Sequence, residues 1–295
     1  SISVTNLINK SIENIPTLIK NNNNVIPVKL DTESILNVQF GNDDGALFND
    51  YLNKYRSIRS IKASDINTNN LNSLLANHKL LIVSFHMKSD TPWGNMNKKF
   101  SLKEQDILKT IDEHNNKILA SFTNPYALSQ INLKSYNSVV VGFQNNQEFQ
   151  KIIAQQIFGA KEIKGTLPVS INDTFKEGAG IILKNLNILS YADPEMVGVD
   201  RKKLNKIDSL INFAIENKMT PGAQILVAKN SKIIYDKSFG KLRYDENLQT
   251  NPETIYDLAS LTKILVTTPI IMNLVDKKVI NLKSRLKEII PRYKN

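Results

Sequence analysis

Four short apolar runs, Ile35–Phe40, Leu80–Phe85, Ile118–Phe122 and Val139–Phe143, alternate with stretches whose apolar residues recur at helical spacing. The first such stretch is Ala46–Tyr55, with Leu47, Tyr51 and Leu52 on one face. The second opens at Ser101, where a glutamate three residues on gives the signature of a capping box, and continues through Ile107, Leu108 and Ile111. The third runs from Gln147 to Phe158 and meets Gly159, a residue suited to ending a helix. Strands separated by helices pair in parallel, so this pattern predicts a doubly wound sheet with helices on both faces. The first 30 residues, with the tract Asn21–Asn24 and then Val25-Ile26-Pro27-Val28, read as a lead-in segment outside the sheet. The Pro92-Trp93-Gly94 loop should follow the second strand.

The alternation breaks between about Lys184 and Asp200, where Tyr191-Ala192-Asp193-Pro194-Glu195 is polar and turn-prone. Beyond it the spacing predicts a helix over Leu204–Ile215, with Leu204, Ile207, Leu210, Ile211 and Ala214 on its apolar face. Pro221-Gly222, then Ala223–Ala228, a turn at Asn230-Ser231, and Ile233–Phe239 closed by Gly240 give a hairpin. A chain of 295 residues has room for two ordinary domains. We therefore expect two domains, a parallel-sheet α/β sandwich over residues 1–190 and an α+β domain over 191–295.

Several classes of function fall away. A net charge of +10 would favour polyanions if it were gathered in one place, but Lys and Arg are scattered and no basic run carries interleaved aromatics, so no nucleic-acid partner is expected. No apolar run is long enough to span a bilayer. The absence of cysteine removes disulfides, thiolate metal sites and cysteine nucleophiles. His78, His86 and His114 show no metal-ligand spacing with a carboxylate and read as structural or surface residues, so neither a metal nor another cofactor is expected. The glycine-bounded loop Gly41-Asn42-Asp43-Asp44-Gly45 follows a strand, where phosphates are often held, but its two aspartates would repel one. A turn with an Asp near a helix start is the expected role.

Catalytic chemistry enters with serine and lysine three residues apart. On a helix such a pair shares a face, which places an amine beside a hydroxyl. The spacing occurs three times: Ser238 with Lys241, Ser260 with Lys263, and Ser284 with Lys287. Ser238 falls in a strand, where residues three apart point to opposite faces. Ser284 and Lys287 sit among Lys283, Arg285 and Glu288, the mark of a solvated helix face. Ser260 would stand at a helix start, and Lys263 runs into the almost wholly apolar Ile264–Val275. Burial there would lower the lysine's proton affinity and let it serve as base toward Ser260. Pro269 is unusual inside a helix by propensity alone.

Two family resemblances overlay this reading. Residues 115–180, through Phe122-Thr123-Asn124-Pro125-Tyr126-Ala127-Leu128, Ala154-Gln155-Gln156-Ile157-Phe158-Gly159 and Gly165-Thr166-Leu167-Pro168-Val169-Ser170, resemble the C-terminal α/β sandwich of family 3 glycoside hydrolases, with Asn21–Val28 similar to the linker entering it. That family keeps its catalytic aspartate on an N-terminal barrel, and its N-acetylglucosaminidase branch keeps the acid/base histidine there too. No barrel fits within this sequence, so the sandwich would act as companion or scaffold.

Pro221-Gly222-Ala223, Gly240, Tyr256-Asp257-Leu258-Ala259-Ser260-Leu261-Thr262-Lys263 and Thr267-Thr268-Pro269-Ile270-Ile271-Met272-Asn273-Leu274-Val275 resemble the start of the serine β-lactamase and penicillin-binding-protein-like hydrolases, of the class C and esterase branch. The resemblance implies Ser260 as acylated nucleophile, its backbone N–H as one oxyanion donor, and Lys263 as base. In that family a later Tyr-x-Asn element and a strand bearing Lys or His followed by x-Gly complete the site; the resemblance covers only the start of such a domain, which implies that both elements lie beyond the matching segments. Together the two resemblances imply a piece of a bifunctional cell-wall hydrolase of the periplasm or envelope. An N-terminal barrel and the rest of the hydrolase domain would belong to the same polypeptide. Its substrates would be peptidoglycan-derived glycan and a peptide or ester, and the chain alone would be inactive. The alternative is a non-catalytic glycan-binding or scaffold module with a hydrolase remnant.

Overall fold

A computed structural model describes residues 11–87, 100–290 and 292; the expected loop at Pro92-Trp93-Gly94 lies outside them. The described residues pack as two compact units, one reaching Lys206 and including Leu226–Asp236, the other made of Ile207–Ile225 and the residues from Lys237 onward.

The first unit is built on a sheet of six strands, β1 (Thr17–Asn21), β2 (Ile35–Phe40), β3 (Arg59–Lys62), β4 (Leu80–His86), β5 (Lys117–Phe122) and β6 (Ser138–Val141), in the order β1-β6-β5-β4-β2-β3. All neighbouring pairs are parallel except β1 with β6. Every residue of β2, β4, β5 and β6 is buried, as befits strands covered on both faces. Leu36, Val38, Leu81, Val83 and Leu119 form one core with Leu71 and Leu75 of α2 (Leu71–Ala76) and Ile107 and Ile111 of α3 (Leu102–Asp112). Ile82, Ile118, Ala120 and Phe122 face the other way, against Phe48 and Leu52 of α1 (Ala46–Asn53) and Phe149, Ile153 and Ile157 of α4 (Gln147–Ile157). The result is the expected three-layer α/β sandwich.

Local chemistry sets the helix ends as the sequence predicts. Ser101 and Glu104 form the reciprocal capping box of α3. The Asn146 side chain accepts from Phe149 N–H at the start of α4, and Gly159, at φ 74°, takes the left-handed conformation that ends it.

Two features differ from expectation. The lead-in segment is not outside the sheet: its residues 17–21 form β1, an antiparallel edge strand that buries Leu18 in one core and Ile19 in the other. The strand is short and abuts the asparagine tract, which hides its alternation. The polar edge strand β3 and the short helix α2 also lie between the first two expected strands.

A separate sheet has the order β7-β9-β8, with β7 (Ser190–Tyr191), β8 (Gly222–Lys229) and β9 (Lys232–Gly240). The β8–β9 turn holds Asn230 at φ 53° and Ser231 at φ 58°, the double positive φ whose twist matches a hairpin. The helix expected over 204–215 is divided into α5 (Arg201–Leu204), capped by Asp200, and α6 (Lys206–Glu216). Further on come α7 (Thr268–Asp276) and α8 (Leu286–Ile289).

Candidate acyl-transfer site

The turn before Ser260 is set by its own side chains. Asp257 Oδ1 accepts the N–H of Ala259 at 2.8 Å, and Ala259 adopts φ 44°, a left-handed conformation that a residue with a Cβ takes only at a cost. From this bend the chain turns directly into helix, with Leu261 N–H donating to the Leu258 carbonyl and Lys263 N–H to that of Ser260. Lys263 Nζ donates to Ser260 Oγ at 3.0 Å, so the structure brings together the two residues that the spacing singled out.

The helix continues unusually. Lys263–Thr267 is a π turn, and α7 follows it with Pro269 in its first turn. Proline lacks an N–H, and its ring crowds the carbonyl one α-turn back. Widening the preceding turn relieves that crowding. The Lys263 carbonyl then receives the Thr268 N–H and, at 2.8 Å, the Thr268 hydroxyl. The sequence pattern predicts neither this turn nor the Ala259 bend. Pro269 was the available signal for the first, and nothing local announced the second.

The expected dryness is not found. Ser260 and Lys263 are exposed, and the apolar side chains around them remain open, from 41% for Ile271 to 66% for Ile264. An apolar helix dries a lysine only when something packs over both. Among the described residues that cover is not supplied.

The other two spacings form no such pair. Lys241 Nζ donates to Asn247 Oδ1 at 2.7 Å, while Ser238 stays within β9. Ser284 Oγ accepts the Asn281 N–H at 3.1 Å in a turn.

The sheet holds a second polar centre where β2 is followed by β3 on one side and β4 on the other, the point at which open α/β sheets form a crevice. A cavity of about 390 Å³ opens there, lined by Gln39, Asp43, Asp44, Lys62, Ser64 and Glu104 among others. Asp44 Oδ1 accepts the Ala46 N–H at 2.9 Å, the turn role expected of this loop. Beneath it, Asn145 Nδ2 donates to Asp43 Oδ2 and to the Asp44 carbonyl. Those acceptors orient the amide, so Asn145 Oδ1 faces His86 and takes its Nδ1–H at 2.9 Å. His86 stacks on Phe122 with ring centroids 4.5 Å apart, and burial pushes its imidazole down to about 4. His78 Nδ1 meets the Leu74 carbonyl, and His114 Nε2 meets that of His78, both structural roles. Among the described residues no group of three His, Cys, Asp or Glu is placed to hold a metal ion, and no helix is long and apolar enough to cross a membrane.

An α/β sandwich with a Ser-x-x-Lys pair at a helix start is the architecture in hand; comparison with known proteins gives it relatives. Residues 208–295 match the family model described as Beta-lactamase. Over 140 residues the chain is 29% identical to a protein of Salmonella enteritidis PT4 named "Putative D-alanyl-D-alanine carboxypeptidase", a match that takes in 45% of this chain and 32% of the relative. The Salmonella gallinarum protein of the same name gives the same figures. The chain thus spans about a third of the length of the curated relatives it matches. Among solved structures, the beta-glucoside phosphorylase BglX aligns with 18% identity and a TM-score of 0.44, covering 55% of this chain and 31% of that one. A glycoside hydrolase family 3 beta-N-acetylglucosaminidase from Paenibacillus sp. str. FPU-7 aligns with 15% identity and a TM-score of 0.43, covering 57% and 32%. The chain carries a parallel-rich α/β sheet and, over residues 208–295, a β-lactamase-like segment.

Proposed function

We propose that Ser260 is the nucleophile and Lys263 the base of a serine acyl hydrolase, carried in a longer bifunctional cell-wall-active polypeptide of the periplasm or envelope. The observation that carries this reading is the 3.0 Å contact between the two side chains at a helix start, within the segment that matches the β-lactamase family. In the reaction, Lys263 as free amine takes the Ser260 proton while Oγ attacks the carbonyl carbon of an amide, β-lactam or ester. The Oγ–C bond forms, the bond to the leaving nitrogen or oxygen breaks, and the leaving group collects the proton. Water then cleaves the acyl-enzyme. The Ser260 N–H, free at the helix start, is a donor for the developing oxyanion. The name of the Salmonella relative favours a peptide ending in D-alanyl-D-alanine as substrate.

In this proposal the α/β domain, residues 1–190, is a β-N-acetylglucosaminidase companion domain and residues 191–295 begin the hydrolase domain. The exposure of Lys263 supports a further part of the polypeptide closing over it, and supports inactivity of residues 1–295 alone. The rival reading, a glycan-binding or scaffold module, rests on the polar cavity at the sheet's switch point. Incubating the full-length polypeptide with a fluorescent penicillin and with a fluorophosphonate separates the two. Labelling that disappears in Ser260→Ala supports the hydrolase, whereas a full-length protein that neither probe labels excludes it.

A further inference from the structure

The π turn that begins at Lys263 is a rare departure from α geometry, and Pro269, which it accommodates, is its local cause. It starts at the residue whose amine reaches Ser260 and ends two residues before Pro269, which the middle of an α-helix accommodates poorly. Thr268 completes the arrangement with two donors, N–H and hydroxyl, on the single carbonyl of Lys263. On the other side the Ala259 bend and its Asp257 cap fix Ser260. The nucleophile and the amine are therefore each held by a special backbone device, three residues apart.

We infer that Thr268 and Pro269 are positioning residues for acylation at Ser260: they hold the π turn open and so set where Lys263 extends its amine. This rests on the proposed roles of Ser260 and Lys263. Pro269 withholds the N–H that would draw the Leu265 carbonyl into an α-turn. The Thr268 hydroxyl supplies a second donor to the Lys263 carbonyl, which keeps that peptide from rotating back toward α geometry. Without either, the helix downstream of Lys263 re-registers toward α geometry, and the Lys263 backbone moves with it. Positional errors near 1 Å at a reacting pair cost on the order of a hundredfold in rate. Loss of one of the two donors is expected to cost on the order of tenfold in the acylation rate constant.

The test uses the full-length polypeptide and a fluorescent penicillin, following the saturating acylation rate and the half-saturating concentration separately. In acylation the Ser260 Oγ–C bond forms, the β-lactam C–N bond breaks and the nitrogen takes up the proton. Thr268→Val keeps the shape and removes the hydroxyl; Thr268→Ser keeps the hydroxyl. The expected result is a roughly tenfold slower acylation for Thr268→Val at unchanged half-saturation, with Thr268→Ser restoring most of the rate. A merely structural role would lower the fraction of protein that labels without changing the rate of the fraction that does. Thr268→Val acylating at the wild-type rate, or Thr268→Ser failing to rescue, overturns the inference while leaving Ser260 as nucleophile. Pro269→Ala is the independent arm, and it too must slow acylation. Failure of the underlying reading looks different, since the unmodified protein would then not label at Ser260 at all.

Discussion

Acidification should weaken the α/β unit through one residue, His86. Its imidazole is fully buried and held near 4, whereas an unfolded chain would hold it near the ordinary value of 6.5. Burial is the cause, and it outweighs the Asn145 hydrogen bond and the nearby Asp43 and Asp44 carboxylates, which favour the charged ring. Asn145 fixes Nδ1 as the protonated nitrogen, which leaves Nε2 to take up any second proton, and Nε2 has no hydrogen-bond partner. A Cβ on Gly45 would come within 2.6 Å of it, so the surroundings are tight as well as dry. Between pH 6.5 and 4 the unfolded state binds more protons than the folded one, so stability falls as pH falls. The contribution is complete above about 6.5 and reaches its full loss below about 4. A separation of about 2.5 units corresponds to roughly 3.4 kcal/mol in full, of which about 2 kcal/mol is lost between pH 7.5 and 5. Urea unfolding followed by far-UV circular dichroism at these two pH values measures it, with His86→Gln as the non-titrating reference. Other titrating groups contribute to both proteins, so the difference in pH dependence isolates His86. Wild type and variant losing the same stability on acidification would show that His86 does not carry this pH dependence.

Three further substitutions probe the α/β unit. Gly41→Ala should destabilise by more than about 2 kcal/mol, because φ is 105° and the new Cβ would stand 2.0 Å from the His86 carbonyl oxygen; Gly178→Ala, at φ 80° with open space around it, should cost about 1 kcal/mol. Thermal melts of the pair give the contrast, and equal shifts would contradict it. Lys117→Met should cost on the order of 2 kcal/mol in urea unfolding. Its buried amine donates to the Asp112 and His114 carbonyls at the end of α3, and the methionine leaves both without that donor. Unchanged stability would mean that the desolvation cost of the amine cancels those bonds.

How far the sequence reveals this structure depends on where burial is local. The central strands are legible because Leu80–His86 and Lys117–Phe122 are apolar on both faces, and α3 because Ser101 and Glu104 mark its start. Strand β3 is an edge strand whose Arg59, Ser60 and Lys62 are exposed, so it carries no apolar signature. Strand β1 buries Leu18 and Ile19 on opposite faces but is masked by the asparagines after it. At the candidate site, three-residue spacing is a local property of helices, and it correctly brought Ser260 to Lys263. Exposure is not local. The apolar run after Lys263 suggested a dry flank, yet dryness depends on what packs over the helix, and no residue in that run specifies its cover.

In the proposed reaction Ser260 becomes acylated with Lys263 as its base. Its most direct measurement is the mass of the tryptic peptide covering residues 244–263 after the full-length polypeptide has been treated with penicillin. The expected result is an increase equal to the whole penicillin, located on Ser260 by fragmentation and absent from Ser260→Ala. An unmodified peptide, or a mass increase on any other residue, would contradict it.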